Sequence, residues 1–375
     1  MTLEGLRILD LSRYAPGLFA TARLADLGAE VITVEAPKRM VTAGIPRYGG
    51  EAARNAGLHP SWAKKRSITL DLKSQLGRDA FLQLAGSAHV VVEGFRPGVC
   101  DRLGIGYSML SQRSPSLVFC SITGYGQTGD YAQRAGHDLN YIARSGLLAA
   151  ATRPGQAPGI PVNVVADIAA GGLRAALAVV AALYEVRNTG VGKHLDVSMT
   201  DGVVEMMAPA MASLVADGAD VSWAGGTLSG AAPFYDCYQT SDDEWLSVAA
   251  IEPVFFARVC EVLDLAELIP HHLDETRWDD MRTAFTRAFS GQTRAHWCAR
   301  FESTDATVEP VLSLREASEV HPFHLPSQHV VAPGVDTADV LADAGVPADQ
   351  IQKLLDAAAQ GQPAQTTDPS KENQQ

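Results

Sequence analysis

Short apolar runs alternate with amphipathic stretches over the first third of the chain. Leu6 to Leu11 has the pattern of a buried strand, and Ala15 to Leu27 that of a helix opened by Pro16 and closed by Gly28. Val31 to Val34, Ser67 to Leu72, His89 to Val92 and Leu117 to Ile122 read as further strands, with Ser74 to Ala85 a helix between two of them. This alternation predicts an α/β fold with a mostly parallel sheet covered on both faces. Asn163 to Asp167 lead into an Ala/Val/Leu helix, Ile168 to Val186, stopped by Asn188-Thr189-Gly190. A strand (Lys193 to Ser198) follows, then a helix from Asp201 that Pro209 should kink or end. Ser222 to Pro233 has linker composition. Beyond it, Phe234 to Gln239 and Trp245 to Ala249 read as a β pair, with helices near Val254 to Leu263 and Trp278 to Phe289, a smaller α+β domain. After Pro326 a short strand and a last helix (Ala348 to Ala359) are expected, then a disordered tail over 360–375.

Composition narrows this picture. A chain of 375 residues exceeds the size at which one core keeps growing, so two domains are expected. The five cysteines are scattered without CxxC spacing, which predicts buried thiols in a reducing compartment and no metal site. No charged-then-apolar leader opens the chain, and the most apolar stretch, Ile168 to Tyr184, carries Arg174 and is short for a membrane span. The C-terminal Asn373-Gln374-Gln375 is no peroxisomal address, so a soluble cytoplasmic protein is expected. A net charge of −13 argues against nucleic acid or an anionic membrane as partner. It leaves room for a small anionic ligand, because Lys64-Lys65-Arg66, Lys73, Arg96 and Arg102 concentrate positive charge beside strand ends. The turn after the first strand, Ser12 to Gly17, lacks GxGxxG, which excludes a dinucleotide site; Glu35 reads as a strand-end charge.

Three residues have the types needed to move a proton between the faces of one carbon. His137 sits in GHDLNY, Asp167 at the start of the long helix, and Glu252 in AIEP. A histidine titrates near neutrality, and an aspartate at a helix start can cap it and meet its N–H groups. Each also has a bland reading: a structural hydrogen-bonding histidine, a simple cap, and a helix opening before Pro253. Their joint setting resembles the α-methylacyl-CoA racemases, within the family III CoA-transferase (formyl-CoA transferase/carnitine-CoA transferase-like) superfamily. The resemblance runs from about Leu6 to His324 and is best in Gly94 to Tyr141, Asn163 to Gly202 and Ala232 to Val311.

The resemblance implies a Rossmann-like large domain built from both chain ends, here 1–200 and 321–359. A linker would span 201–230 and a small domain 231–320, in an interlocked homodimer. It implies racemisation of 2-methyl-branched acyl-CoA thioesters through an enolate, with His137 and Asp167 on opposite faces and Glu252 orienting His137. Coenzyme A is then part of the substrate, and no cofactor is expected. The matching CoA contacts are Leu70 and Lys73 in TLDLK, Gly94-Phe95-Arg96 in EGFRPG, Arg102 in DRLG, and Gly136, Asp138, Leu139, Asn140 and Tyr141 in GHDLNY. Phe95 would offer an apolar face to adenine. Departures from the pattern are Ala36 where racemases carry a CoA-contacting arginine (Lys38 or Arg39 could substitute), and a connection between Pro322 and Pro326 that looks shorter than usual. Ala166 replaces a glycine and the glycine run is thinned to Ala169-Ala170-Gly171-Gly172, so β-carbons there could crowd the thioester. Two other readings stay open: a family III CoA-transferase using Asp167 as nucleophile, and a CoA-ester-binding protein without catalysis.

Overall fold

In the computed structural model, residues 2–37, 60–218, 227–321 and 330–360 are described. Six strands form one parallel sheet in the order β3-β2-β1-β4-β5-β6. They are β1 (Arg7–Asp10), β2 (Glu30–Glu35), β3 (Lys65–Thr69), β4 (Val90–Glu93), β5 (Val118–Thr123) and β6 (His194–Ser198). The order is that of the doubly wound Rossmann sheet, whose direction of winding reverses between β1 and β4. β4 and β5 are buried along their whole length, which is why Val90-Val91-Val92 and Val118-Phe119-Cys120 read as apolar runs without alternation. Helix α1 (Ala15–Asp26) and helix α2 (Gln75–Ala85) cross between strands, the second with its N-terminus capped by the Ser74 hydroxyl. A core of Leu9, Ile32, Ile68, Phe81, Leu84, Val91 and Phe119 lies against this sheet. Fully burying a side chain such as Phe81 contributes about 1.5–3 kcal/mol.

The sheet belongs to a unit made of residues 1–145, 161–205 and 324–375; a second unit comprises 146–160 and 206–323. Residues 146–160, expected in the first domain, therefore group with the second. Their anchor is Asp236, whose buried carboxylate is bound by both Arg153 and Arg282. The second unit carries the antiparallel sheet β7 (Tyr235–Gln239), β8 (Trp245–Ala249), β9 (Val308–Pro310). Its core is aromatic: Phe234, Tyr238, Phe256, Phe285, Phe289, Trp297 and Phe301 pack together. The helix expected from Asp201 is two, Met199–Met206 and Ala208–Asp217, with Pro209 in the first turn of the second.

Three expectations change. The crossover from β5 to β6 begins as a π-helix, Val165–Leu173, and continues as an α-helix, Arg174–Thr189. It thus starts before Ile168, and as one 25-residue helix it is long and apolar enough to cross a membrane by length and composition. Within this unit it packs on α1: a β-carbon at Gly172 would lie 2.8 Å from the Pro16 carbonyl, so only glycine permits this approach. Second, no short strand precedes the last helix among the described residues. The returning chain instead forms a turn against the β3 edge, where Asp336 and Thr337 side chains accept from the N–H groups of Ser67 (2.8 Å) and Thr69 (3.0 Å). Third, all five cysteines are free but Cys237 is exposed. Lys38, Arg39, Gly225, Gly226, the 322–326 connection and the tail 361–375 lie outside the described residues.

Candidate functional site

Because the large sheet is parallel, every loop after a strand emerges at the same end. That end gathers the β1 turn (Ser12 to Tyr14), Leu70 and Lys73 after β3, Gly94-Phe95-Arg96 after β4, and GHDLNY beyond β5. The crossover helix leaves β5 from this end too, which sets Asp167 among them.

His137 is the exposed N-cap residue of helix α3 (Asp138–Arg144), with extended backbone (φ −133°, ψ 175°). Its N–H donates to the Asn140 side chain at 3.0 Å, so Asn140 fixes the helix start. Gly136 precedes it against Tyr141: a β-carbon there would come within 2.7 Å of the Tyr141 ring and 2.9 Å of the Tyr125 hydroxyl. The Tyr141 hydroxyl donates to the Gly136 carbonyl, and its ring meets Tyr125 edge-on at 5.1 Å. Leu139 is exposed on the same helix.

Asp138 joins the two segments. The residue is 4% exposed, and one carboxylate oxygen accepts from the N–H groups of Ala166 (2.7 Å) and Asp167 (2.8 Å). The charge thereby caps the π-helix from outside, at its positive end. Two corrections follow. Asp167 lies inside the first turn and does not cap its own helix; its side chain accepts from the Asn163 amide at 3.3 Å. The two helix N–H groups bound to Asp138 are also taken, so they are not donors for an enolate oxygen.

Burial raises the Asp167 pKa above the ordinary carboxylate value; the Asn163 hydrogen bond opposes this, the Asp138 charge adds to it, and His137 opposes it. A helix start by itself would lower it. Desolvation wins here, which favours a carboxyl group able to hold a proton. Ala166 and Ala170 are 0% and 1% exposed, so their methyl groups are packed inside protein, whereas Ala169 is half-buried.

Among the cationic candidates, Lys73, Arg96 and Arg102 are exposed and make no ion pair among the described residues. Lys64, Lys65 and Arg66 differ from expectation. Lys64 pairs with Asp26, Arg66 with Glu30, and Lys65 is buried on Asp10 at 3.1 Å, hence none is offered to a ligand. Leu70 is 2% exposed inside the core, which leaves only its backbone for a ligand. Glu93 is buried and accepts from the Phe95 N–H at 2.7 Å, holding the Gly94–Arg96 turn. Phe95 is half-buried, and the Arg13 guanidinium lies over its ring at 5.6 Å. Arg13, Asn163, Glu93 and Asp10 were not candidates from sequence, and Lys65 was one only as a cation for a ligand. Only Arg13 gave a usable signal, as an arginine directly after the first strand of a Rossmann-type sheet. Glu252 lies in the second unit as the exposed N-cap of helix Pro253–Val262; its carbonyl accepts from Phe255 and Phe256 N–H. No cluster of three or more His, Cys, Asp or Glu side chains is placed to hold a metal among the described residues.

A Rossmann-type sheet with an acid, a histidine and exposed cations at its C-terminal end sets proton carriers and positive charge where open α/β sheets bind ligands, which is the class of protein this fold defines. The chain belongs to the CoA-transferase family III, which it matches over residues 3–332. It is 35% identical over 325 residues to the α-methylacyl-CoA racemase of Homo sapiens, covering 86% of this chain and 81% of that protein. It is 33% identical over 323 residues to the human succinyl-CoA:glutarate CoA-transferase (84% and 72% covered). Among solved structures, a CaiB/BaiF family protein from Brucella suis superposes with a TM-score of 0.73 at 25% identity, covering 91% of this chain and 98% of that one.

Proposed function

We propose that this protein is a racemase of 2-methyl-branched acyl-CoA thioesters, moving the α-proton through an enolate with His137 and Asp167 on opposite faces. The observation that carries the reading is the Asp138 bridge, which fixes the His137 segment to the first turn of the Asp167 helix. An acid whose pKa is raised by burial and a histidine are the two kinds of proton carrier that such an exchange needs. In one direction His137 removes the proton and protonated Asp167 delivers one to the other face; in the reverse direction the roles swap. Lys73, Arg96 and Arg102 would meet the CoA phosphates, with backbone of Gly136 to Tyr141 along the pantetheine. Glu252 would orient His137. The higher identity to racemases of two mammals than to named transferases also supports this reading.

The transferase alternative keeps a specific support: Asp167 is a half-buried carboxylate in a family that includes named CoA-transferases. Incubation with (R)- or (S)-2-methylacyl-CoA in deuterated water separates the two. Loss of optical purity with α-deuteration, without an acceptor acid, is expected. CoA transfer to a free acid without exchange would establish the transferase, and tight binding with neither reaction the non-catalytic binder. His137→Ala and Asp167→Ala should each abolish racemisation while leaving α-hydrogen wash-out from opposite enantiomers. A homodimer, in the cytoplasm, is part of the same proposal. Its support is an exposed apolar face on the crossover helix, Leu173, Leu177 and Tyr184, whose 55–71% exposure a second copy would cover. Light scattering on the purified chain tests it.

A further inference from the structure

The turn after β1 is built more rigidly than a connecting loop needs. Asp10, at the end of β1, is 0% exposed, and its carboxylate accepts from the Ser12 N–H at 2.9 Å and from the Ser12 hydroxyl. Its other oxygen accepts from the Thr21 hydroxyl at 2.6 Å and from the buried Lys65 ammonium at 3.1 Å. Lys65 also donates to the Leu18 carbonyl (3.0 Å) and to Thr21 (2.6 Å), tying the turn to α1. Gly17 completes the fit, since a β-carbon there would overlap Ser12. Residues 10, 12, 17, 21 and 65 thus form one buried hydrogen-bonded block.

Directly on this block stands Arg13, exposed, without an ion pair among the described residues, and laid over the Phe95 ring. Phe95 follows β4, and its own N–H is held by buried Glu93. The two strands that meet here, β1 and β4, flank the point where the sheet's winding reverses, where open α/β sheets bind ligands. A guanidinium over an aromatic face is attracted to the ring and keeps N–H groups free for an anion. In a chain of net charge −13, an exposed arginine on a fixed turn, without an ion pair among the described residues, can take an anionic ligand at little further ordering cost.

We propose that Arg13 is a further phosphate-binding residue for the CoA ester, its guanidinium held by Phe95 and its backbone by the Asp10–Ser12–Lys65 block. This rests on the acyl-CoA reading above. The assignment also gives Phe95 a role other than an adenine platform, because one face of its ring is occupied by the arginine.

The test is calorimetric binding of a 2-methylacyl-CoA and of its 3′-dephospho analogue to the full chain, for the parent, Arg13→Ala and Arg13→Lys. Arg13→Ala should weaken CoA-ester binding about tenfold and flatten its salt dependence, with kcat in the exchange assay reduced less than kcat/KM is. Arg13→Lys should recover only part of the affinity, since it keeps the charge but not the planar fork of donors. If the dephospho analogue loses affinity equally in parent and variant, the contact is to the diphosphate; if the variant's penalty disappears with that analogue, it is to the 3′-phosphate. A parent that binds CoA esters while Arg13→Ala binds them equally well overturns the Arg13 assignment alone. A parent that binds no CoA ester overturns the functional reading, and the assignment with it.

Discussion

Replacing Asp138 by asparagine keeps an acceptor oxygen beside the π-helix and removes the charge. In the parent that carboxylate accepts two N–H groups at 2.7 and 2.8 Å inside the protein. Hydrogen bonds to a charged group are worth about 1.5–3 kcal/mol each, roughly twice a neutral pair, so the exchange should cost about 1.5–3 kcal/mol in all. For a unit of this size that lowers the melting temperature by about 3–12 °C. Asp138→Ala should cost more, about 2–6 kcal/mol, because both buried N–H groups lose their partner. The asparagine variant also separates a structural role from an electrostatic one. The Asp138 charge is one of the causes that raise the Asp167 pKa, so its removal should move the rate limb governed by Asp167 to lower pH. Thermal melts by circular dichroism and α-hydrogen wash-out followed by proton NMR across pH read the two effects. A melt within about a degree of the parent together with an unmoved pH limb would refute the bridge as argued.

Two further outcomes follow from buried charge and from a buried ring. Lys65→Met strands Asp10 without its counter-charge and should cost about 3–5 kcal/mol in urea denaturation; a loss under about 1 kcal/mol would show that the pair is not buried as described. His272 packs face-to-face on Phe256 at 4.2 Å and edge-on to Phe234, and burial lowers its pKa, with the Ala250 backbone partly opposing. The unfolded chain therefore takes up that proton first, so the stability this group allows is full above about pH 6.5 and is lost as pH falls below it. His272→Phe should remove that slope: the stability difference between parent and variant should change between pH 7.5 and 5.5, and a constant difference would refute the assignment.

The central strands of the large sheet were readable because burial on both faces leaves apolar runs, as in Val90-Val91-Val92 and Val118-Phe119-Cys120. The order of those strands was not in the runs themselves; resemblance to a family implied only that the domain is Rossmann-like. What stayed hidden shares one cause: a decisive partner far away in sequence. The crossover helix starts early because Asp138, 28 residues upstream, caps it. Lys65 looked like part of a basic ligand patch, yet its partner Asp10 is 55 residues away. Residues 146–160 carry no periodic pattern, and only Arg153 on Asp236 shows which unit holds them. Asp138 itself was picked from the right motif for a different task, since the sequence shows a carboxylate but not the amides it faces.

The turn that closes the β3 edge has a consequence for synthesis. Ser67 and its partner Asp336 are 269 residues apart, and Asp336 also donates its own N–H to the Ser67 carbonyl. At a translation rate of about 5–20 residues per second, the first strands wait roughly 15–50 seconds for the segment that finishes them. During that interval the nascent chain presents an open parallel edge, the kind of surface on which other strands add. The second unit, lying between, can assemble its aromatic core while the first remains incomplete. A ribosome-bound chain stopped before residue 330 should therefore be a client for chaperones that the completed chain no longer needs.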